Sequence, residues 1–158
     1  MAAALVWLEA TALATWTRES PSIWAYPTIL TLHTVGLAIV VGLSAVIDLR
    51  VLGFARRVPL PAFSPAFRLI AWGFVLNATT GVLLFIADAV HKAGQPVLYV
   101  KLACIIVALW LTLSARRLLQ SGAIVRGDDP PAAARMMAMA SLLLWAAAIT
   151  AGRLMAYL

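Results

Sequence analysis

Four apolar stretches, each about 20 residues long, dominate this chain, and about 20 residues is what a helix needs to cross a bilayer. They run over Ile29–Ile47, Leu69–Ala87, Val97–Ala115 and Met136–Leu154. Charged residues mark their ends: Asp48 and Arg50 after the first, Arg68 and Asp88 around the second, Arg116 and Arg117 after the third. Hydrocarbon offers no partner to an open sheet edge, so such stretches have to be helices. The chain is 64% hydrophobic and only 11% charged, where soluble domains carry roughly 45–50% and about 25%. The expected architecture is an all-α integral membrane four-helix bundle, one membrane domain over 1–158. Its transmembrane helices are expected over about 27–48, 67–89, 97–116 and 134–156.

The fourth helix follows "GDDPPAAAR", where Asp129 suits a helix cap and Pro130 the first turn. The N-terminal segment "AALVWLEATALATWTRES" is too short and too polar to cross. Leu5, Leu8, Ala12 and Trp16 fall near helical spacing, with Thr11 and Arg18 well round from them and Glu9 at the edge. That pattern predicts an N-terminal interfacial amphipathic helix over 2–16. The basic n-region and clear cleavage site of a signal peptide are missing from it.

Basic residues set the expected orientation. Arg50, Arg56, Arg57, Arg68, Arg116, Arg117, Arg126 and Arg135 fall in or beside two of the loops, leaving Arg18, Lys92, Lys101 and Arg153 to the opposite side. The Arg-rich side should be cytoplasmic, which puts both termini on the outer side, the periplasmic one if the membrane is a bacterial inner (cytoplasmic) membrane. Tyr26, Tyr99 and Tyr157 fall near the outer end, as an interfacial aromatic belt requires. The pI near 10.5 is therefore read as topogenic Arg, with the lipid bilayer and no nucleic acid as partner. The single Cys104 excludes an intrachain disulfide.

The segment "TILTLHTVGLAIVVG" places His33 inside a lipid-soluble run. Counting about 1.5 Å per residue from Asp48, Arg68, Arg116 and Arg135 gives depths above the inner boundary. His33 and Lys101 come out at roughly 22 Å, Cys104 at roughly 18 Å, Arg153 at about 27 Å and Asp88 at about 30 Å. One ionisable group from each helix thus falls in the outer part of a membrane about 30 Å thick. Gly73, Asn77, Gly81, Leu84 and Asp88 follow one side of the second helix, and small residues at that spacing let helices approach closely. Gly36 lies one turn from His33 and leaves room beside the imidazole. Lys101, Cys104, Ala108 and Thr112 share a face of the third helix, and Ala146, Thr150 and Arg153 a face of the fourth.

The candidate cofactor-binding residues are His33, Lys101, Arg153, Asp88, Gly36 and Asn77, with His33 as the one metal ligand. Each has a plainer reading. Lys101 and Arg153 are near enough to the interface to snorkel. Asp88 ends a helix or pairs with Lys101, and Asn77, Thr79 and Thr80 serve as interhelical hydrogen-bond glue. Cys104 and the methionines of "MMAMA" at 136–140 act as apolar filler, and His91 is a solvated loop residue. His33 resists the plain reading best, since polar groups in lipid face the interior and mark ligands or relays.

The runs "SIWAYPTILTLHTVGLAIVVGLSAVIDLRVLG", "TTGVLLFIADAV" and "LYVKLACIIVAL" resemble a family of small four-helix bacterial inner-membrane proteins, a domain of unknown function. The resemblance covers roughly residues 5–120 and implies a topology but no activity. It rests on the Trp-x-Tyr-Pro entry, the Leu-His-x-x-Gly helix, the Asp-Leu-Arg exit and the Gly-x-Leu-Leu-Phe stretch. The chain is also distantly similar to b-type cytochrome and copper-resistance membrane bundles in being four-helix and His-bearing. It departs from the two-haem pattern, in which each haem takes a pair of histidines, because it holds two histidines in total.

Three classes of function follow. The first is a membrane subunit of a redox assembly, with His33 binding haem b or contacting a quinone, and Lys101 and Arg153 supplying positive charge. His91 lies roughly 12 Å above His33, so a second axial ligand would be Met155, a water or a group from another chain. The second is a non-catalytic anchor or assembly subunit for a protein partner or a homo-oligomer, with His33 as bundle hydrogen-bond glue. The third, a transporter or metal-handling protein, lacks a Cys/His/Met ligand set and a broken helix. No Ser/His/Asp or paired-carboxylate arrangement supports hydrolysis.

Overall fold

The computed structural model describes residues 2–119 and 130–157, and every described element is helical. Two short helices come first, α1 (Ala2–Glu9) and α2 (Ala12–Glu19). Then come α3 (Tyr26–Val51), a 3₁₀ turn over Leu60–Phe63, α4 (Ala66–Ile86) and the short α5 (Ala89–Ala93). Helices α6 (Pro96–Leu119) and α7 (Ala132–Leu154) complete the described elements. Helices α3, α4, α6 and α7 are each long and apolar enough to cross a membrane, and we read the chain as a multi-pass membrane protein.

Their surfaces agree with that reading. Trp72 of α4, Ile106 of α6 and Leu143 of α7 are about 70% exposed, each pointing away from the neighbouring helices. In water so many outward apolar side chains would aggregate, whereas lipid solvates them.

Helix α3 packs on α4 and on α7, and α7 packs on α6. The α3–α4 contact is close because it is made through glycine. A Cβ on Gly36 would lie 2.8 Å from the Asn77 backbone nitrogen and 2.9 Å from the Gly73 carbonyl oxygen. Small residues at such a seam trade side-chain volume for backbone contact.

One end of the molecule, here called the lower, holds the apolar core. Val40 and Ile47 of α3, Phe67 and Ile70 of α4, Ala108 of α6, and Ala134, Ala138 and Trp145 of α7 form a continuous apolar core. Buried Thr112 donates to buried Ser44 across α6 and α3 at 3.4 Å. The upper end carries α1, α2 and α5, and there the helices leave a cleft.

The N-terminal segment differs from the single helix over 2–16 read from the sequence. The Thr11 hydroxyl donates to the Leu8 carbonyl at 2.7 Å and accepts from the Ala14 amide at 3.4 Å. It therefore ends one helix and caps the next, as threonine outside a helix does readily. The phase resets at that point. Leu5 and Leu8 are half-buried, Ala12 and Trp16 are exposed, and α2 instead buries Ala14 and Thr17.

Two helix ends also differ. Helix α4 stops at Ile86, and Asp88 adopts φ −155°, ψ 51° before α5 begins. Helix α7 starts at Ala132 after Pro131, so Pro130 lies outside its first turn. A residue preceding proline is pushed away from helical angles, which delays the start to the second proline of the pair. The expected cap Asp129 and the basic Arg126 lie outside the described residues.

Candidate functional site

The upper cleft has a volume of about 690 Å³ and draws its walls from α3, α4, α6 and α7, with α2 and α5 at the rim. Its polar groups are Arg18, Tyr26, His33, Asp88, His91, Lys92 and Lys101. Leu30, Leu84, Phe85, Leu98 and Met155 supply most of its apolar surface.

His33 sits at the α3–α4 seam. Its Nδ1 lies 2.9 Å from the backbone carbonyl oxygen of Asn77. A carbonyl accepts only, so Nδ1 carries the proton. Thr80 Oγ1, at 3.2 Å, accepts from the same N–H while donating to the Leu76 carbonyl at 2.7 Å. The Asn77 amide returns the contact, donating to the His33 carbonyl at 2.8 Å. Nε2 is then the unprotonated nitrogen, and it makes no hydrogen bond among the described residues. The ring needs Gly81 opposite it, where a Cβ would lie 3.1 Å from Cε1.

Lys101 is accommodated in a similar way. Its Cε and Nζ pass 3.3 Å from where a Cβ on Gly152 would be. Its ammonium makes no ion pair among the described residues. Glycines on α4 and α7 thus make space for the imidazole and the ammonium that enter the cleft from α3 and α6.

The rim is held by contacts across long stretches of sequence. Arg18 Nη1 donates to the Ala87 carbonyl at 3.0 Å, and the Lys92 ammonium donates to the Leu84 carbonyl. These are last-turn carbonyls of α4, which has no glycine cap, and cations are favoured at that pole of a helix. Burial lowers the Lys92 pKa, and the nearby Asp88 opposes the shift. Glu9 Oε1 accepts from the Val90 amide at 2.7 Å and so caps α5 from α1.

Of the six residues read from the sequence as a site, His33, Lys101 and Asp88 line the cleft together. Gly36 and Asn77 lie at the seam behind His33 and position it. Arg153 does not line the cleft: it is exposed, with its guanidinium 5.6 Å from the Tyr157 ring centroid. Asp88 meets His91 at 3.3 Å in an exposed pair and makes none with Lys101. His91 is helical rather than part of a loop, and it lines the cleft from α5. Sequence reasoning missed the place of Arg18 and Lys92 here. The only signal was that both belong to the outer group of basic residues.

Three of the lining residues, Arg18, Lys92 and Lys101, are cationic, against the single carboxylate of Asp88, so the cleft favours an anionic or electron-rich ligand. No three His, Cys, Asp or Glu side chains among the described residues are grouped to hold a bare metal ion. No protein-family model, curated protein or solved structure matches the chain.

Proposed function

We propose that the chain is a membrane-embedded subunit of a redox assembly and that the cleft beside His33 seats haem b. One observation carries the reading: Nδ1–H is committed to the Asn77 carbonyl, which leaves the Nε2 lone pair unused on a ring that lines the cleft. Iron-ligating imidazoles have that same arrangement, the far N–H held on a carbonyl so that tautomer and ring plane are fixed. A haem supplies one-electron chemistry when bound, and the protein supplies the ligand, the orientation and the electrostatics.

In this reading His33 would hold the iron. Met155, also on the cleft wall, would be a second residue able to hold it. Lys101, which makes no ion pair among the described residues, would meet a propionate, and Arg18 and Lys92 would keep N–H groups to spare at the rim. Gly81 and Gly152 leave the ring and the ammonium their room.

A second reading rests on the same lone pair. Nε2 in this tautomer accepts and does not donate, so it suits a quinol hydroxyl better than a quinone carbonyl. Lys101 then donates to the neighbouring oxygen. In either case the four long helices form a bundle with α1 and α2 on the outer surface. Arg50, Arg56, Arg57, Arg68, Arg116, Arg117 and Arg135 would then face the cytoplasm of a bacterial inner membrane. A protein partner or a second copy receives the electron.

Titrating haemin into the purified protein tests the assignment. A saturable Soret band is expected, with affinity falling about tenfold in Lys101→Ala as one propionate contact is lost, about 1.4 kcal/mol. Identical titrations for Lys101→Ala and the parent would remove the cleft from the account. If no cofactor binds and His33 variants only unfold, the chain is an anchor whose histidine is bundle glue.

A further inference from the structure

At the lower end, Asp48 is a buried carboxylate that no structural task explains. It is 3% exposed, and its Oδ2 is enclosed without a hydrogen-bond partner among the described residues. The Ser141 hydroxyl of α7 lies beside it and is likewise enclosed without a hydrogen-bond partner among the described residues. Asp48 caps nothing, since α3 continues to Val51. It sits near the C-terminal end of that helix, the pole that disfavours an anion.

Asp48 lines a cavity of about 370 Å³ between α3, α6 and α7. The rest of the wall is mostly apolar, with Val51, Leu111, Ala134 and Met137 prominent. The one other charged residue on it, Arg117, forms no ion pair with Asp48. The volume falls at the lower end of the roughly 300–1,000 Å³ typical of small-molecule sites.

We propose that this cavity is a second binding site, taking a small lipophilic ammonium, a primary amine on an apolar body, with Asp48 as its counter-charge. The sign follows from the unpaired carboxylate. A hard metal ion needs a shell of six or more oxygens, and Asp48 with the Ser114 and Ser141 hydroxyls does not supply one. A primary ammonium needs few acceptors and brings its own apolar surface to the wall. Its N–H groups reach the carboxylate and leave the cavity apolar elsewhere. The site lies at the opposite end from His33 and stands apart from any cofactor there.

The probe is 2-(4-fluorophenyl)ethylammonium, followed by ¹⁹F NMR with the full chain in detergent micelles. Its neutral analogue, 2-(4-fluorophenyl)ethanol, measures partition into the micelle. The wild type should show saturable binding of the ammonium and only linear partition of the alcohol. Asp48→Asn should weaken the ammonium at least tenfold. Ala115→Phe, which keeps the carboxylate and fills the cavity, should weaken it as much, so the proposal stays testable if Asp48→Asn fails to fold. Saturable binding of the alcohol, unchanged binding in either folded variant, or no saturable binding by folded wild type each overturns the proposal.

Discussion

His33 and Asn77 hold each other twice: the imidazole Nδ1–H donates to the Asn77 carbonyl at 2.9 Å, and the Asn77 amide donates to the His33 carbonyl at 2.8 Å. The pair locks α3 to α4 and fixes the imidazole's tautomer together. His33→Leu and Asn77→Ala should therefore each destabilise the protein by about 0.6–1.7 kcal/mol, the range for interhelical hydrogen bonds in membranes. The double variant should cost less than the sum, because the residues are coupled. Unfolding in mixed micelles measures all three, and strict additivity would argue against the reciprocal clasp.

Gly36 and Gly42 give a paired test of the α3–α4 seam. A Cβ on Gly36 meets backbone atoms at 2.8 and 2.9 Å, whereas one on Gly42 meets nothing within 4 Å. Backbone cannot swing aside as a side chain can, so Gly36→Ala should cost about 1–3 kcal/mol. Gly42→Ala should be neutral or stabilise by up to about 1 kcal/mol. Thermal unfolding of the two variants side by side checks the contrast.

The clasp of α1 on α5 predicts a local effect. Glu9→Ala removes the acceptor of the Val90 amide. Loss of a cap costs about 1 kcal/mol, so hydrogen exchange at residues 90–92 should quicken about fivefold. Exchange in α3 should not change. A uniform acceleration over all helices would mean that Glu9 supports the whole fold instead.

Topology has its own check. Reporter fusions after residue 60 and at the C-terminus should give opposite sidedness, because an odd number of crossings separates them. Matching signals would contradict the four-span reading.

Much of the fold was legible because one-dimensional hydropathy and lipid chemistry leave a chain like this few choices. That His33 and Lys101 lie at one level was legible too, since a helix is a ruler and both line the same cleft. Asp88 escaped the ruler because α4 ends before it. The reset at Thr11 was visible only as one of three threonines between residues 11 and 17. Contacts such as Glu9 with Val90 and Arg18 with Ala87 join residues that no periodicity relates. Facing was the hardest part: Arg153 shares a helix face with Thr150 in sequence, yet its side chain turns to Tyr157.

Haem ligation by the Nε2 lone pair of His33 is open to direct measurement. The reduced-minus-oxidised visible spectrum of the purified protein, beside that of His33→Leu, tests it most directly. A Soret shift and a sharp α-band are expected in the parent, both absent from a folded His33→Leu. A featureless spectrum from folded, haem-supplied parent protein, or an unchanged spectrum in His33→Leu, would contradict it.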